Sequence, residues 1–176
     1  SLRADSKKVL VVHPLALSAS AEALVEHLRT LGLEAIAAGV EDGESAKRIE
    51  VAAFCWGIMG KADFTRSDSV IGFGGGATTD LAGFVASTWL RGVQLIQVPT
   101  TLLGMVDAAI GGKTGVNTTE GKNLVGTFYA PSRVICDLDT LLTLPKNEIL
   151  AGFGEIVKYG FIEDERILEI IETDVT

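Results

Sequence analysis

At residues 68–80 the chain reads DSVIGFGGGATTD. Asp68 to Phe73 is a short apolar run of strand length that leads directly into three glycines, and helical text follows from Leu81 to Leu90. A glycine triplet at a strand-to-helix turn lets the backbone approach a pyrophosphate, with the N–H groups of the helix terminus pointing at it. Gly72-x-Gly74-x-x-Ala77 fits the dinucleotide fingerprint with alanine in its last place, but no carboxylate lies about 20 residues on to take a ribose hydroxyl. A tight β-α turn without a ligand is the plainer reading of the same residues. Asp80 is expected in the first turn of the helix, where the macrodipole stabilises a carboxylate.

Upstream, Lys8 to His13 is a buried strand ending at Pro14. Ser18 to Leu31 is an amphipathic helix with Leu24, Leu28 and Leu31 on one face and Gly32 as its C-cap. Leu33 to Val40 reads as a strand, the acidic turn Glu41 to Glu44 follows, and a second helix runs from about Ser45 to Lys61. Downstream, Val93 to Val98 is a strand stopped by Pro99. Strands alternating with helices over this distance imply an α/β, Rossmann-like parallel sheet with helices on both faces, binding ligands at the carboxyl ends of its strands. Thr100 to Ile110 is then expected to be helical, with a glycine- and asparagine-rich loop to about Asn123 and a last strand from Arg133 to Asp137. From Pro145 the text is helical to its end. We therefore expect residues 1–144 to form the α/β domain and 145–176 to begin a helical second domain that continues beyond this chain.

The 176 residues are 47% hydrophobic and 22% charged, with a formal net charge of −8. This is a globular balance, and the acidity argues against nucleic-acid or membrane-surface partners, which call for a basic face. The two cysteines, Cys55 and Cys136, are too few and too far apart for a zinc cluster or disulfide scaffold and are expected to be buried thiols. No apolar run reaches the roughly 18 residues of a membrane span, so a cytoplasmic chain is expected.

Residues 109–117, AIGGKTGVN, have the look of a Walker loop. Counting back from Gly112, however, puts Asp107 where that motif needs its first glycine, and an aspartate there would repel a nucleoside phosphate. Lys113 and Lys122, set among glycines rather than on a helix face, suit an anion, although a solvated loop would look the same. Asp42 to Lys47 is an acidic turn at a strand end, read either as a solvated cap or as part of a site. Glu155 and Lys158 share a helix face at i, i+3, either as a surface ion pair or as a cleft wall with the apolar Phe153, Ile156 and Val157.

The segments GGGATTDLAGFVASTWLRG, VPTTLLGMVDAAIGGKTGVN, GKNLVGTFYAP and LAGFGEIVKYG, in this order and spacing, resemble 3-dehydroquinate synthase, a sugar-phosphate cyclase, from about Val9 onward. The resemblance implies NAD bound between an α/β domain and a helical domain, with a zinc or cobalt ion in the cleft. It implies cofactor contacts at Asp42, Gly43, Glu44, Ser45, Ala46 and Lys47, at Gly76, Ala77, Thr78, Thr79 and Asp80, at Thr100, Thr101, Lys113 and Lys122, and at Thr140, Leu141, Leu142 and Thr143. It implies substrate contacts at Asp107, Lys113, Asn123 and Lys158, and a metal ligand at Glu155. The family's other two metal ligands are histidines of the helical domain, whereas His13 and His27 both lie in the first strand-helix unit. His13-Pro14 stands where relatives carry a small polar residue and an acid near the adenosine end of the cofactor. The implied reaction is the shikimate-route conversion of 3-deoxy-D-arabino-heptulosonate 7-phosphate to 3-dehydroquinate and phosphate, by a full-length homodimer. A sister cyclase of the inosose or valiolone type, a polyol dehydrogenase and a non-catalytic NAD-binding module are the alternatives.

Overall fold

The computed structural model describes Leu2 and residues 4–174. Among them, five parallel strands form one sheet in the order β2-β1-β3-β4-β7: β1 Lys8–Pro14, β2 Glu34–Val40, β3 Ser69–Gly74, β4 Gln94–Pro99 and the short β7 Arg133–Val134. The chain winds from β1 to β2 on one side and returns to β3 on the other, so the switch point of the sheet lies between the carboxyl ends of β1 and β3. Side-chain alternation separates two cores. Val9, Val11, Ile71 and Ile96 pack with Val25 and Leu28 of helix α1, Ser18–Thr30. Leu10, Val12, Val70 and Leu95 pack on the opposite face with Cys55 and Met59 of α2, Ile49–Lys61, and Leu81 and Val85 of α3, Gly76–Thr88. Helices cover both faces, as the pattern implies.

Helix α3 lies unusually close to the sheet. A Cβ on Gly72 would stand 2.2 Å from Gln97 Oε1 and 2.9 Å from the Cβ of Ala82. That side chain can be only a hydrogen, and Gln97 uses the approach to donate from Nε2 to the Thr79 carbonyl at 2.8 Å, fixing the first turn of α3 to β4. The start of β3 is tied to β1 by the buried Asp68. Its carboxylate accepts from Lys8 N–H at 2.9 Å, Lys7 N–H at 3.2 Å, Thr65 N–H at 2.7 Å and the Thr65 hydroxyl at 3.0 Å. Burial pushes this carboxyl up, but these hydrogen bonds outweigh it and hold it below the usual range.

Several expectations need correction. Residues 113–128 form an antiparallel hairpin, β5 Lys113–Thr118 and β6 Gly121–Phe128, where a loop was expected. The hairpin docks Thr114 and Val116 under α3, so its glycines serve close packing rather than disorder. The last strand spans two residues, and Cys136 beyond it is exposed, whereas Cys55 is buried and its thiol is pushed up to about 12 by burial. Ser45 lies in a 3₁₀ turn, Gly43–Ala46, that precedes α2. Leu31 is 64% exposed; Ala21 and Val25 take the buried face with Leu28. Helix α3 begins at Gly76, five residues before the apolar run signals it, so Asp80 sits in the second turn. A π-helical turn, Gly104–Ala108, occupies the centre of the expected 100–110 helix, and α4 Lys146–Ile162 and α5 Arg166–Asp174 follow β7.

Two measurements check this packing. Gly72→Ala should cost about 1–3 kcal/mol in urea unfolding through overpacking, whereas Gly57→Ala, at an open position inside α2, should stabilise by about 0.5–1 kcal/mol. Because the Asp68 carboxyl is depressed in the folded state, its contribution should be full above the unfolded value of about 4 and lost as pH falls through the lower folded value. Asp68→Asn should flatten that acid limb.

Candidate functional site

The first two turns of α3 contribute to the walls of two clefts. The larger, about 790 Å³, opens at the switch point of the sheet and is walled by Pro14 at the end of β1, Asp42 and Gly43 after β2, residues 75–78 after β3, Thr100 and Thr101 after β4, and Thr140 and Thr143 beyond β7. Gly75 is the N-cap of α3 and carries no side chain to cap the first N–H groups, which leaves them for a ligand. The smaller cleft, about 410 Å³, is walled by Asp80, Asp107, Ala108, Lys113, Thr114 and Asn123, with part of β6. Gly76 belongs to the first cleft and Ala108 to the second, and a Cβ on Gly76 would stand 3.2 Å from that of Ala108. A residue without Cβ lets the start of α3 pack this closely against the π-helical turn.

The smaller cleft is organised by a buried cation. Lys47, 3% exposed, donates from Nζ to Asp80 Oδ2 at 2.7 Å and to Asn123 Oδ1 at 2.5 Å, with Glu44 Oε1 at 3.8 Å. Burial raises the Asp80 carboxyl above its ordinary value, Lys47 opposes this by hydrogen bond and charge, and the carboxylates of Glu44 and Asp107 push it up further. Asp107 owes its position to the π-helical turn, closed by Ala109 N–H on the Gly104 carbonyl at 2.9 Å. Asn123 holds a left-handed backbone, φ +58°.

The structure thus gathers most, but not all, of the residues named from sequence. Asp42, Gly43, Gly76, Ala77, Thr78, Thr100, Thr101, Thr140 and Thr143 wall the larger cleft, and Asp80, Asp107, Lys113 and Asn123 the smaller. Ala46 and Thr79 are fully buried, and the Thr79 hydroxyl is bonded to Gly76 O. Ser45 closes its own turn on Asp42 O, while Lys122 and Leu142 are exposed and Leu141 half-buried outside both clefts. On α4, Lys158 is ion-paired with Glu155 and lies 4.9 Å from the Tyr159 ring centroid. Its ammonium is raised first by the Glu155 hydrogen bond, with Asp107 adding to the field. The His13 ring is buried against Pro14 O at 2.9 Å, and it is Pro14 that faces the cleft. Sequence reasoning missed Ser20 and Glu148 on the cleft wall and Gln97 beneath α3; a glutamine inside an otherwise apolar strand is the one signal that could have revealed the last.

Comparison with known proteins identifies the family of this chain. The model of the family described as 3-dehydroquinate synthase N-terminal matches residues 37–151. The 3-dehydroquinate synthase of Leifsonia xyli is 67% identical over 96% of this chain and 46% of its own length; the chain spans about half the length of the curated relatives it matches. Among solved structures, the 2-epi-5-epi-valiolone synthase of Streptomyces hygroscopicus with NAD+ and Zn2+ bound superposes with a TM-score of 0.81 or better, namely 0.87, at 33% identity over 96% of this chain and 47% of that one. A 2-deoxy-scyllo-inosose synthase complexed with carbaglucose-6-phosphate, NAD+ and Co2+ gives 0.81 at 28% identity over 88% and 43%. With the family model covering well over half of its residues, the chain belongs to the 3-dehydroquinate synthase family, in the part described as N-terminal.

Proposed function

We propose that this chain supplies the NAD-binding part of a 3-dehydroquinate synthase, and that the whole cytoplasmic, homodimeric enzyme converts 3-deoxy-D-arabino-heptulosonate 7-phosphate to 3-dehydroquinate and phosphate. One observation carries the reading: a single helix terminus walls both a cleft suited to a dinucleotide and a second cleft lined by Asp107, Lys113 and Asn123. Residues 1–144 would be the NAD-binding domain and 145–176 the start of the helical one.

The residues fit NAD. The uncapped N–H groups at Gly76 and Ala77 would receive the pyrophosphate, and the hydroxyls of Thr100, Thr101, Thr140 and Thr143 surround the same space. The carboxylates of Asp80, Glu44 and Asp107, set about the smaller cleft, would favour the positive charge of an oxidised nicotinamide. When bound, NAD would supply a transient hydride acceptor. Lys113 would hold the substrate phosphate, Asp107 and Asn123 would orient its hydroxyls, and Lys158 would close the cleft from α4. These roles are positioning and electrostatics, in which a low-dielectric cleft makes fixed charges count.

A metal does not fit the described residues by themselves. Among them no group of three or more His, Cys, Asp or Glu side chains is arranged to hold an ion, and Glu155 is occupied by Lys158. Glu155 is proposed as one ligand, and no step is routed through a metal. The 67% identity with a 3-dehydroquinate synthase, against 33% with a valiolone synthase, favours the dehydroquinate reaction over its sister cyclisation.

Gly76→Val should crowd the start of α3 against Ala108 and cut NAD affinity at least about tenfold by calorimetry with the chain still folded by circular dichroism; unchanged affinity removes the pyrophosphate assignment. Phosphate release from the heptulosonate substrate, assayed on the protein extended to the length of its curated relatives, tests the activity. Lys113→Ala should slow it by about 10²–10³, and release that survives the substitution intact removes the phosphate role.

A further inference from the structure

Asn117 is named in none of the roles above and walls neither cleft, yet it bonds to residues named in two of those roles. It lies between the paired residues Val116↔Val125 and Thr118↔Gly121, at the point where the β5-β6 register shifts. A shift of this kind releases a residue from its ladder and re-aims it. Asn117 turns instead to the segment before α2, bridging to Arg48 in parallel and donating its N–H to the Lys47 carbonyl at 2.7 Å. Its carboxamide then works at both ends. Nδ2 donates to Glu44 Oε1 at 2.8 Å, and Oδ1 accepts the Asn123 N–H at 2.9 Å.

These contacts close a ring. Lys47 is fixed through its carbonyl by Asn117 and through its Nζ holds the Asn123 side chain, while Asn117 holds the Asn123 backbone in its left-handed conformation. Asn enters that conformation more readily than other non-glycine residues, and the bond to Asn117 Oδ1 holds Asn123 there. A carboxamide is the side chain that can donate to a carboxylate and accept from an N–H at once. Aspartate would lose the donor and set a like charge against Glu44; leucine would lose both.

We propose that Asn117 is a positioning residue that sets Glu44 on the cofactor side and Asn123 on the substrate side with one carboxamide. The proposal rests on the reading of Glu44 as a cofactor contact and Asn123 as a substrate contact. It couples the Glu44 turn to the Asn123 wall of the smaller cleft, since one carboxamide orients both.

The test uses this chain and three variants, with NAD affinity read by calorimetry and Asn123 amide exchange read by NMR. Asn117→Asp should weaken NAD about tenfold, the scale of a lost hydrogen bond to a charged group, and leave Asn123 exchange near that of the parent because the acceptor survives. Asn117→Leu should weaken NAD similarly and speed Asn123 exchange at least about tenfold. Gly32→Ala, strained at φ +86° after α1, lowers stability away from the site and should leave both readouts unchanged. Parental NAD affinity in Asn117→Asp, a loss matched by Gly32→Ala, or unaltered Asn123 exchange in Asn117→Leu would each overturn the proposal. If the parent chain itself binds no NAD, the cofactor reading fails separately, and Asn123 exchange alone decides whether Asn117 positions it.

Discussion

Helix α3 packs tightly against both the sheet and the β5-β6 hairpin because two residues lack side chains. On the strand side, Gly72 leaves room for Ala82 and Gln97; on the helix side, a Cβ on Gly83 would stand 2.4 Å from Thr114 Cγ2. The first contact sets the amino end of α3 above the carboxyl ends of β1 and β3. The second seats the β5-β6 hairpin beneath the same helix. Both clefts therefore inherit their walls from one packing constraint, and moving α3 outward by the width of a methyl group would separate them. The depth of the helix in the core, with Leu81, Ala82 and Val85 inaccessible, makes such movement costly at native packing density.

A buried charge adds a second constraint. Removing a lysine ammonium from water costs several kcal/mol unless its partners are well placed. Lys47 meets Asp80 from α3 and Asn123 from β6, and so joins the segment after β2, helix α3 and the hairpin through one atom. Burial raises the Asp80 carboxyl, and Lys47 opposes that rise against the like charges of Glu44 and Asp107. Lys47, Asp80, Glu44 and Asp107 thus share one electrostatic balance, and a cationic ring entering the smaller cleft would relieve the excess of negative charge.

The sheet and its helices were legible because buried parallel strands leave nearly unbroken apolar runs, as in VLVV and LIQV. The glycine turn was legible for the same reason that it works: few residue types tolerate that approach. The hairpin was not, since β5 and β6 are rich in Gly, Thr and Asn, and β6 is largely exposed, leaving no periodic apolar signal. Asp80 was misplaced by a turn because α3 opens with Gly-Ala-Thr-Thr, small residues that look like loop until the sheet packs against them. The members of the candidate site were named through family resemblance, while their joining by Lys47 and Asn117 needed coordinates. Contacts between residues more than thirty positions apart, such as Lys47 with Asp80 and Glu44 with Asn117, leave no mark in local spacing.

In the proposed function, a dinucleotide rests its pyrophosphate on the start of α3 and extends toward Asp80. Residue-resolved amide shifts during titration of the chain with NAD test it most directly, with AMP as the comparison. The expected result is large shifts at Gly75, Gly76 and Ala77 with NAD, spreading to Asp80 and Asn123, whereas AMP perturbs only the side of the larger cleft near Asp42 and Gly43. Shifts that bypass α3, or identical patterns for NAD and AMP, would contradict it.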